Sequence, residues 1–257
     1  MQTLWQDLRY GARMLVKNPV FTLIAVMTLA IGIGANTAIF SVVNGVLLRP
    51  LPYPEPERLV MVWEKRIREG VNNNVVAPAD FRDWQARNQV FENMAAYTNT
   101  DMALSGDGEP ERIRSGNVSA AFFDVVGVKP MLGRGFLAEE EQPGRNRIVV
   151  LSHALWQRRF GAEGGVIGRT IQLNSEPYEV IGVLPPSFRF VDAQIELWFP
   201  LDFTTSQMQA RASHFLNVFA RLKPGATLEQ SRNEMERIGA QLEQEHPREN
   251  RGHSACL

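Results

Sequence analysis

From Asn18 to Leu48 no side chain is charged, and apolar residues dominate almost every turn. A mostly apolar run of about 18 residues or more is long enough to cross a bilayer. At about 1.5 Å per helical residue this one extends roughly 45 Å, against a hydrocarbon core of about 30 Å. The surplus implies tilt, or a helix that continues past the membrane. The pattern therefore predicts a transmembrane helix over residues 19–48. Before it, Leu4, Trp5, Leu8, Ala12, Leu15 and Val16 recur near helical spacing, with Gln6, Asp7, Arg9, Arg13 and Lys17 between them. That alternation predicts an amphipathic helix over residues 1–18 lying in the headgroup layer. Trp5, Arg9, Arg13 and Lys17 are its membrane-surface candidates. The apolar run is longer than a cleavable leader's core of about 7–15 residues, which favours an anchor.

Small residues at Ala30, Gly34 and Ala38 are spaced by four, and Ser41 and Gly45 extend the stripe. Such a stripe lets a second helix approach closely. Asn36, Thr37 and Asn44 are polar groups that a partner helix or the headgroup region satisfies. Basic residues before the run outnumber acidic ones, whereas Glu55, Glu57 and Glu64 accompany Arg49 and Arg58 after it. The positive-inside bias places the N-terminus in the cytoplasm and the larger remainder outside.

That remainder alternates between strand and helix signals. Arg49-Pro50-Leu51-Pro52-Tyr53-Pro54-Glu55-Pro56 reads as a stiff extended connector. Leu59 to Trp63 reads as a strand, and Pro78 opens a helix carrying Phe81, Trp84 and then Phe91. Met102–Leu104 and Glu111–Val118 read as strands, and Ala120–Val126 as a short helix stopped by Gly127. Further strands are expected at Arg147–Leu151, Thr170–Leu173, Tyr178–Val183 and Ile195–Leu201, with a helix at His153–Phe160. Leu216, Val218, Ala220 and Leu222 alternate as a half-buried strand. Thr227 and Gln230 form a capping box for a helix striped by Leu228, Met235, Ile238 and Leu242, which His246-Pro247 ends. The fold class is α+β. Its expected parts are 49–142, a β-rich subdomain inserted at 143–212, a return strand and helix at 213–248, and an atypical tail at 249–257.

Composition adds exclusions. The net charge is −1 over 257 residues, which offers no electrostatic footprint for nucleic acid. The single cysteine, Cys256, excludes an internal disulfide. The histidines are His153, His214, His246 and His253, and none has a zinc-type spacing to another ligand, so no metal is expected. Gly161–Thr170 lacks the first glycine and the lysine of a phosphate loop, and no nucleophile elbow occurs. Neither a catalytic constellation nor a cofactor site is expected. Trp84, Trp156 and Trp198 sit in apolar patterns and are expected in the core.

The opening LWQDLRYGARMLVKNPVFTLIAVMTLAIGIGANTAIFSVVNGVLLRPLPYPEPERLV strongly resembles the start of MacB/FtsX-type ABC transporter permeases. It is most similar to the acidobacterial duplicated orphan permease branch. VLSHALWQRRFG, IGRTIQLNSEPYEVIGVLPPSF and FARLKPGATLEQSRNEMERIGAQLEQEHP extend the match in order. The resemblance implies a periplasmic core domain with a porter-like α+β part and an inserted β-rich part, in the inner membrane of a bacterial cell. It implies a separate cytoplasmic ABC ATPase, a second permease half and a periplasmic partner, with outer-domain motion coupled to ATP. It offers no catalytic residues. Family members continue into three further spans, which leads to the expectation of a truncated fragment. The rival reading is a single-pass, membrane-anchored periplasmic binding or adaptor module working without an ATPase.

Overall fold

A computed structural model describes residues 2–43, 53–106, 109–190, 192 and 194–257. They fall into two compact units, one within residues 1–51 and one within 52–257. The first unit holds α1 (Gln2–Lys17) and α2 (Pro19–Val43). Asn18 separates them, and Pro19 suits the first turn of α2 because its missing N–H needs no partner there. Thr22 donates its hydroxyl to the Leu15 and Asn18 carbonyls at 2.6 and 3.0 Å, tying the break together. Pro19–Phe40 is long and apolar enough to cross a membrane, and its side chains are almost all exposed.

The second unit is α+β. Among the described residues its strands are β1 (Leu59–Arg66), β2 (Val71–Asn74), β3 (Phe91–Ser105), β4 (Glu111–Val118), β5 (Leu132–Gly133) and β6 (Ile148–Leu151). The remainder are β7 (Thr170–Leu173), β8 (Glu176–Val183), β9 (Leu197–Pro200), β10 (Asn217–Leu222) and β11 (His253–Cys256). The helices are α3 (Pro78–Arg87), α4 (Phe122–Val126), α5 (His153–Phe160), α6 (Thr205–Gln209) and α7 (Leu228–Glu245). The strands form one hydrogen-bonded path, β11-β1-β10-β3-β4-β9-β6-β8-β5, with β2 on β1 and β7 bridging β3 and β8. Most neighbours are antiparallel; β4–β9 and β6–β8 are parallel.

Alternation along β3 sorts the core. Ala95 and Tyr97 join an aromatic-rich cluster with Phe122, Phe123, Phe190, Trp198 and Phe219. Met94 and Ala96 enter a second cluster with Phe81, Trp84, Met235, Ile238 and Leu242. A third cluster, including Val149, Leu151, Leu155, Trp156 and Val180, lies under β6, β8 and α5. Trp84, Trp156 and Trp198 are all buried.

Several expectations change. The helix at Pro78 stops at Arg87, and Phe91 begins β3 instead of continuing the helix. Asn88 causes the stop: its amide donates to the Trp84 and Gln85 carbonyls at 3.0 Å, and its oxygen accepts from the Phe91 N–H at 3.2 Å. β10 is not half-buried. Phe219 and Arg221 are covered as fully as Val218 and Ala220, because α4 roofs the face opposite α7. Leu228 is exposed, and the stripe of α7 is Ser231, Met235, Ile238, Gly239 and Leu242. Tyr53–Glu55 is not a straight connector: Glu55 adopts φ 47°, and Pro56–Arg58 is a 3-10 turn. Residues 49–52 of that connector lie outside the described residues. The segment after Pro247 ends as β11, which pairs with β1 from Trp63↔Cys256 to Arg66↔His253.

Candidate functional site

The described part of the second unit begins with residues 53–58, a junction segment held by two arginines. Arg221 lies on β10, is 7% exposed, and points into the aromatic-rich cluster instead of solvent. Its Nε donates to the Val125 carbonyl at 2.7 Å and its Nη1 to the Pro54 carbonyl at 3.0 Å. Val125 lies in the last turn of α4, whose last carbonyls lack intrahelical partners, so a buried cation there also meets the negative helix end. Gly127 follows in the left-handed region at φ 71°, and a Cβ on it would lie 3.1 Å from the Pro54 ring. Only glycine suits both conditions. The junction segment is thus pinned between the end of α4 and β10.

Arg58 makes the second fastening. Its Nε donates to the Leu222 carbonyl at 2.9 Å, and its guanidinium pairs with Glu55 at 2.6 Å and with Glu92. Tyr53 is the apolar anchor. It is 7% exposed, its ring sits 6.3 Å from that of Phe188, and its hydroxyl donates to the Arg189 carbonyl at 2.7 Å. Burial, with nearby Tyr97 second, pushes the hydroxyl up to about 12, so it stays a donor. Below it, Tyr97 stacks on Phe219 at 5.4 Å and meets Phe190 edge-on at 4.9 Å. Junction, α4 and central sheet therefore share one packed unit.

A second polar cluster lies on the other face of β1. Glu64 is 2% exposed, and its Oε1 accepts from Arg66 Nε at 3.1 Å and Asn74 Nδ2 at 3.0 Å. Its Oε2 lies 3.0 Å from His214 Nε2, and His253 Nδ1 lies 3.9 Å from Oε1. Burial works against the Glu64 charge, but the neighbouring His214 and the hydrogen bonds from Asn74 and Arg66 outweigh it and lower its proton affinity. Close by, Asp80 pairs with Arg211 and accepts from Asn250 at 2.8 Å; burial pushes its carboxyl up. Spacing rules missed this cluster because its members stand on β1, before β10 and on β11, far apart in sequence. A buried glutamate on a strand was its one sequence trace, in the break that Glu64 makes after Val60, Val62 and Trp63.

The membrane-directed candidates are not part of either site. Trp5, Arg9, Arg13 and Lys17 are exposed on α1. Ala30, Gly34 and Ala38 are exposed on α2 without a partner among the described residues. Ser41 belongs to α2, but its side chain is not described, and Gly45 lies outside the described residues.

Residues 22–238 match the family model described as the MacB-like periplasmic core domain. A 145-residue stretch is 26% identical to the macrolide export ATP-binding/permease protein MacB of Shigella dysenteriae, and to that of Escherichia coli K12. This covers 55% of the chain but 20% of each relative, so the chain spans a small part of their length. The outer unit also resembles the periplasmic region of MacB from Actinobacillus actinomycetemcomitans (TM-score 0.57, 15% identity, 79% of this chain and 89% of that one). The extracellular domain of the ABC-type transporter YknZ from Gram-positive bacteria is similar as well (TM-score 0.55, 16% identity, 77% and 100%). A permease-protein domain from Porphyromonas gingivalis shares the fold at TM-score 0.60 and 17% identity, covering 79% and 91%.

Proposed function

Because this chain belongs to the MacB-like periplasmic core domain family, and so to the permease side of ABC transporters, we propose that it passes ATP-driven motion from membrane to periplasm for export or envelope remodelling. In this reading α2 crosses the inner membrane with the N-terminus cytoplasmic, as the basic bias of Arg9, Arg13 and Lys17 favours. α1 lies along the cytoplasmic headgroup layer, with Trp5 at the interface. The stripe at Ala30, Gly34, Ala38, Ser41 and Gly45 packs against helices of the same or a second permease half. A separate cytoplasmic ABC ATPase supplies the energy, and a periplasmic partner receives the motion. The parts 49–142 with 213–248, and 143–212, act as two subdomains that share the aromatic-rich cluster.

The observation that carries this reading is the pinned junction. A force carried along the backbone past Pro52 meets Tyr53, Arg58 and Arg221, which fasten it to the sheet and to α4. A flexible linker would dissipate that force. Glycine insertions between Pro50 and Pro56, made in an intact homologous permease with this outer unit, test it. Export should be lost while ATP hydrolysis continues. Unchanged export would contradict the proposal, and so would capture of a periplasmic ligand by the chain with no dependence on an ATPase.

A further inference from the structure

The polar cluster on β1 holds an unusual concentration of unmet bonding capacity. Buried polar side-chain atoms without a hydrogen bond are scarce in folded proteins, and each calls for a cause. Among the described residues eight such atoms occur, and four belong to neighbouring side chains here: His214 Nε2, His253 Nδ1, Asp80 Oδ2 and Asn250 Oδ1. Glu64, Asp80, Asn250 and His253 line a common cavity of about 10 Å³.

The geometry around Glu64 is that of ligand atoms facing one point. One carboxylate oxygen, one ring nitrogen of His214 and one of His253 all lie within 4.8 Å of one another. A tetrahedral zinc centre with bonds of about 2.0–2.1 Å sets its ligand atoms roughly 3.3 Å apart. His214 Nε2 lies 3.0 Å from Oε2 and His253 Nδ1 lies 3.9 Å from the other oxygen, Oε1, so the two imidazoles approach different oxygens of one carboxylate. The His214 Nε2 contact with Oε2 has the distance of a hydrogen bond but not its alignment, since Nε2 is left without one. The other ring nitrogen of His214, Nδ1, lies 3.2 Å from the Ala212 carbonyl, and metal binding at Nε2 requires the tautomer in which Nδ1–H donates to that carbonyl. Arg66 and Asn74 both donate to Oε1, which orients the carboxylate and leaves Oε2 unclaimed. The Arg66 guanidinium, also 3.2 Å from His214 Nδ1, opposes a cation electrostatically. Arg66 is itself paired with Glu64 and Glu69, at 3.1 and 3.3 Å, which offsets part of its charge.

We propose that Glu64, His214 and His253 form a binding site for a divalent transition metal of the zinc class, clasping β11 and the lead-in to β10 onto β1. Two imidazoles and one carboxylate suit borderline metals over calcium or magnesium, which prefer all-oxygen shells. Three protein ligands leave one position for water. The consequence is mechanical: three segments distant in sequence are joined at the sheet edge.

The test uses the full chain in detergent, stripped with chelator and titrated with Co²⁺, then with Zn²⁺ in competition. One equivalent should bind with a dissociation constant of about 1 μM or tighter. The visible absorption of four-coordinate Co²⁺ should appear and then be displaced by Zn²⁺. Glu64→Gln and His253→Ala should each weaken binding at least about 10-fold. His253 is at the sheet edge, so its variant keeps the fold, checked by circular dichroism. Cys256→Ser should leave the titration unchanged. Absence of saturable Co²⁺ binding in the unaltered chain would overturn the proposal, and a cavity holding only water predicts that outcome. Binding that survives both ligand variants, or that disappears with Cys256→Ser, would overturn it equally.

Discussion

At the scale of single residues, Arg221 decides how the chain is joined to its outer unit. A buried cation needs partners for its donors, and here two backbone carbonyls take Nε and Nη1 while Nη2 makes no hydrogen bond. Arg221→Met keeps the stem's packing but leaves the Val125 carbonyl without its donor. Removing a hydrogen bond to a charged group and orphaning a buried acceptor should cost about 2–4 kcal/mol, read as a lower urea midpoint at unchanged slope. Gly182 and Gly133 set a second limit. A Cβ on Gly182 would lie 2.5 Å from the Arg134 carbonyl, and one on Gly133 would lie 2.0 Å from that of Ile181. Gly182→Ala should therefore destabilise by about 2 kcal/mol or more through backbone displacement at the β5–β8 pair. Neither role was legible in the sequence. Arg221 occupies what reads as the polar phase of an alternating strand, and its burial depends on α4 arriving from about a hundred residues earlier.

At the scale of elements, local chemistry was readable and partner-dependent chemistry was not. The α7 start was legible because its cap is self-contained: Thr227 Oγ1 accepts from the Gln230 N–H at 3.1 Å, and the Gln230 side chain accepts from the Thr227 N–H at 2.9 Å. Thr227→Ala should cost about 1 kcal/mol, measured by thermal unfolding. The turn between β7 and β8 is equally local, since Asn174 and Ser175 take the positive φ values a tight hairpin needs. The first half of β3 was missed because its apolar residues continue the helical phase of α3, and only the Asn88 cap separates them. β11 was missed because a short, polar edge strand exists only through pairing with β1. The 3-10 segment at residues 138–141 carries a pH dependence. Burial pushes the Glu140 carboxyl up, but two hydrogen bonds from Arg134 and one from the Leu137 N–H outweigh it, leaving it below its ordinary 4.5. A depressed carboxyl stabilises the fold above its unfolded value and loses that contribution as pH falls through its folded value. Urea midpoints should drop between about pH 5 and pH 3, and Glu140→Gln should flatten part of that drop.

At the scale of the whole molecule, the sequence disclosed a helix long and apolar enough to cross a membrane and a mixed α+β unit, since a charge-free run and strand alternation are local statements. It also disclosed the family, through segments that agree in order. The single path of strands was not legible, because β9 joins β4 to β6 across pairings that no local pattern specifies. The central claim is that the outer unit is driven through a junction held rigidly to its sheet. The most direct measurement is export per ATP hydrolysed in an assembled permease carrying this outer unit, with Arg221→Met compared with the unaltered junction. The account predicts that hydrolysis persists while export per ATP falls at least about 10-fold, corresponding to roughly 1.4 kcal/mol of lost coupling. An unchanged ratio in a folded variant would contradict it.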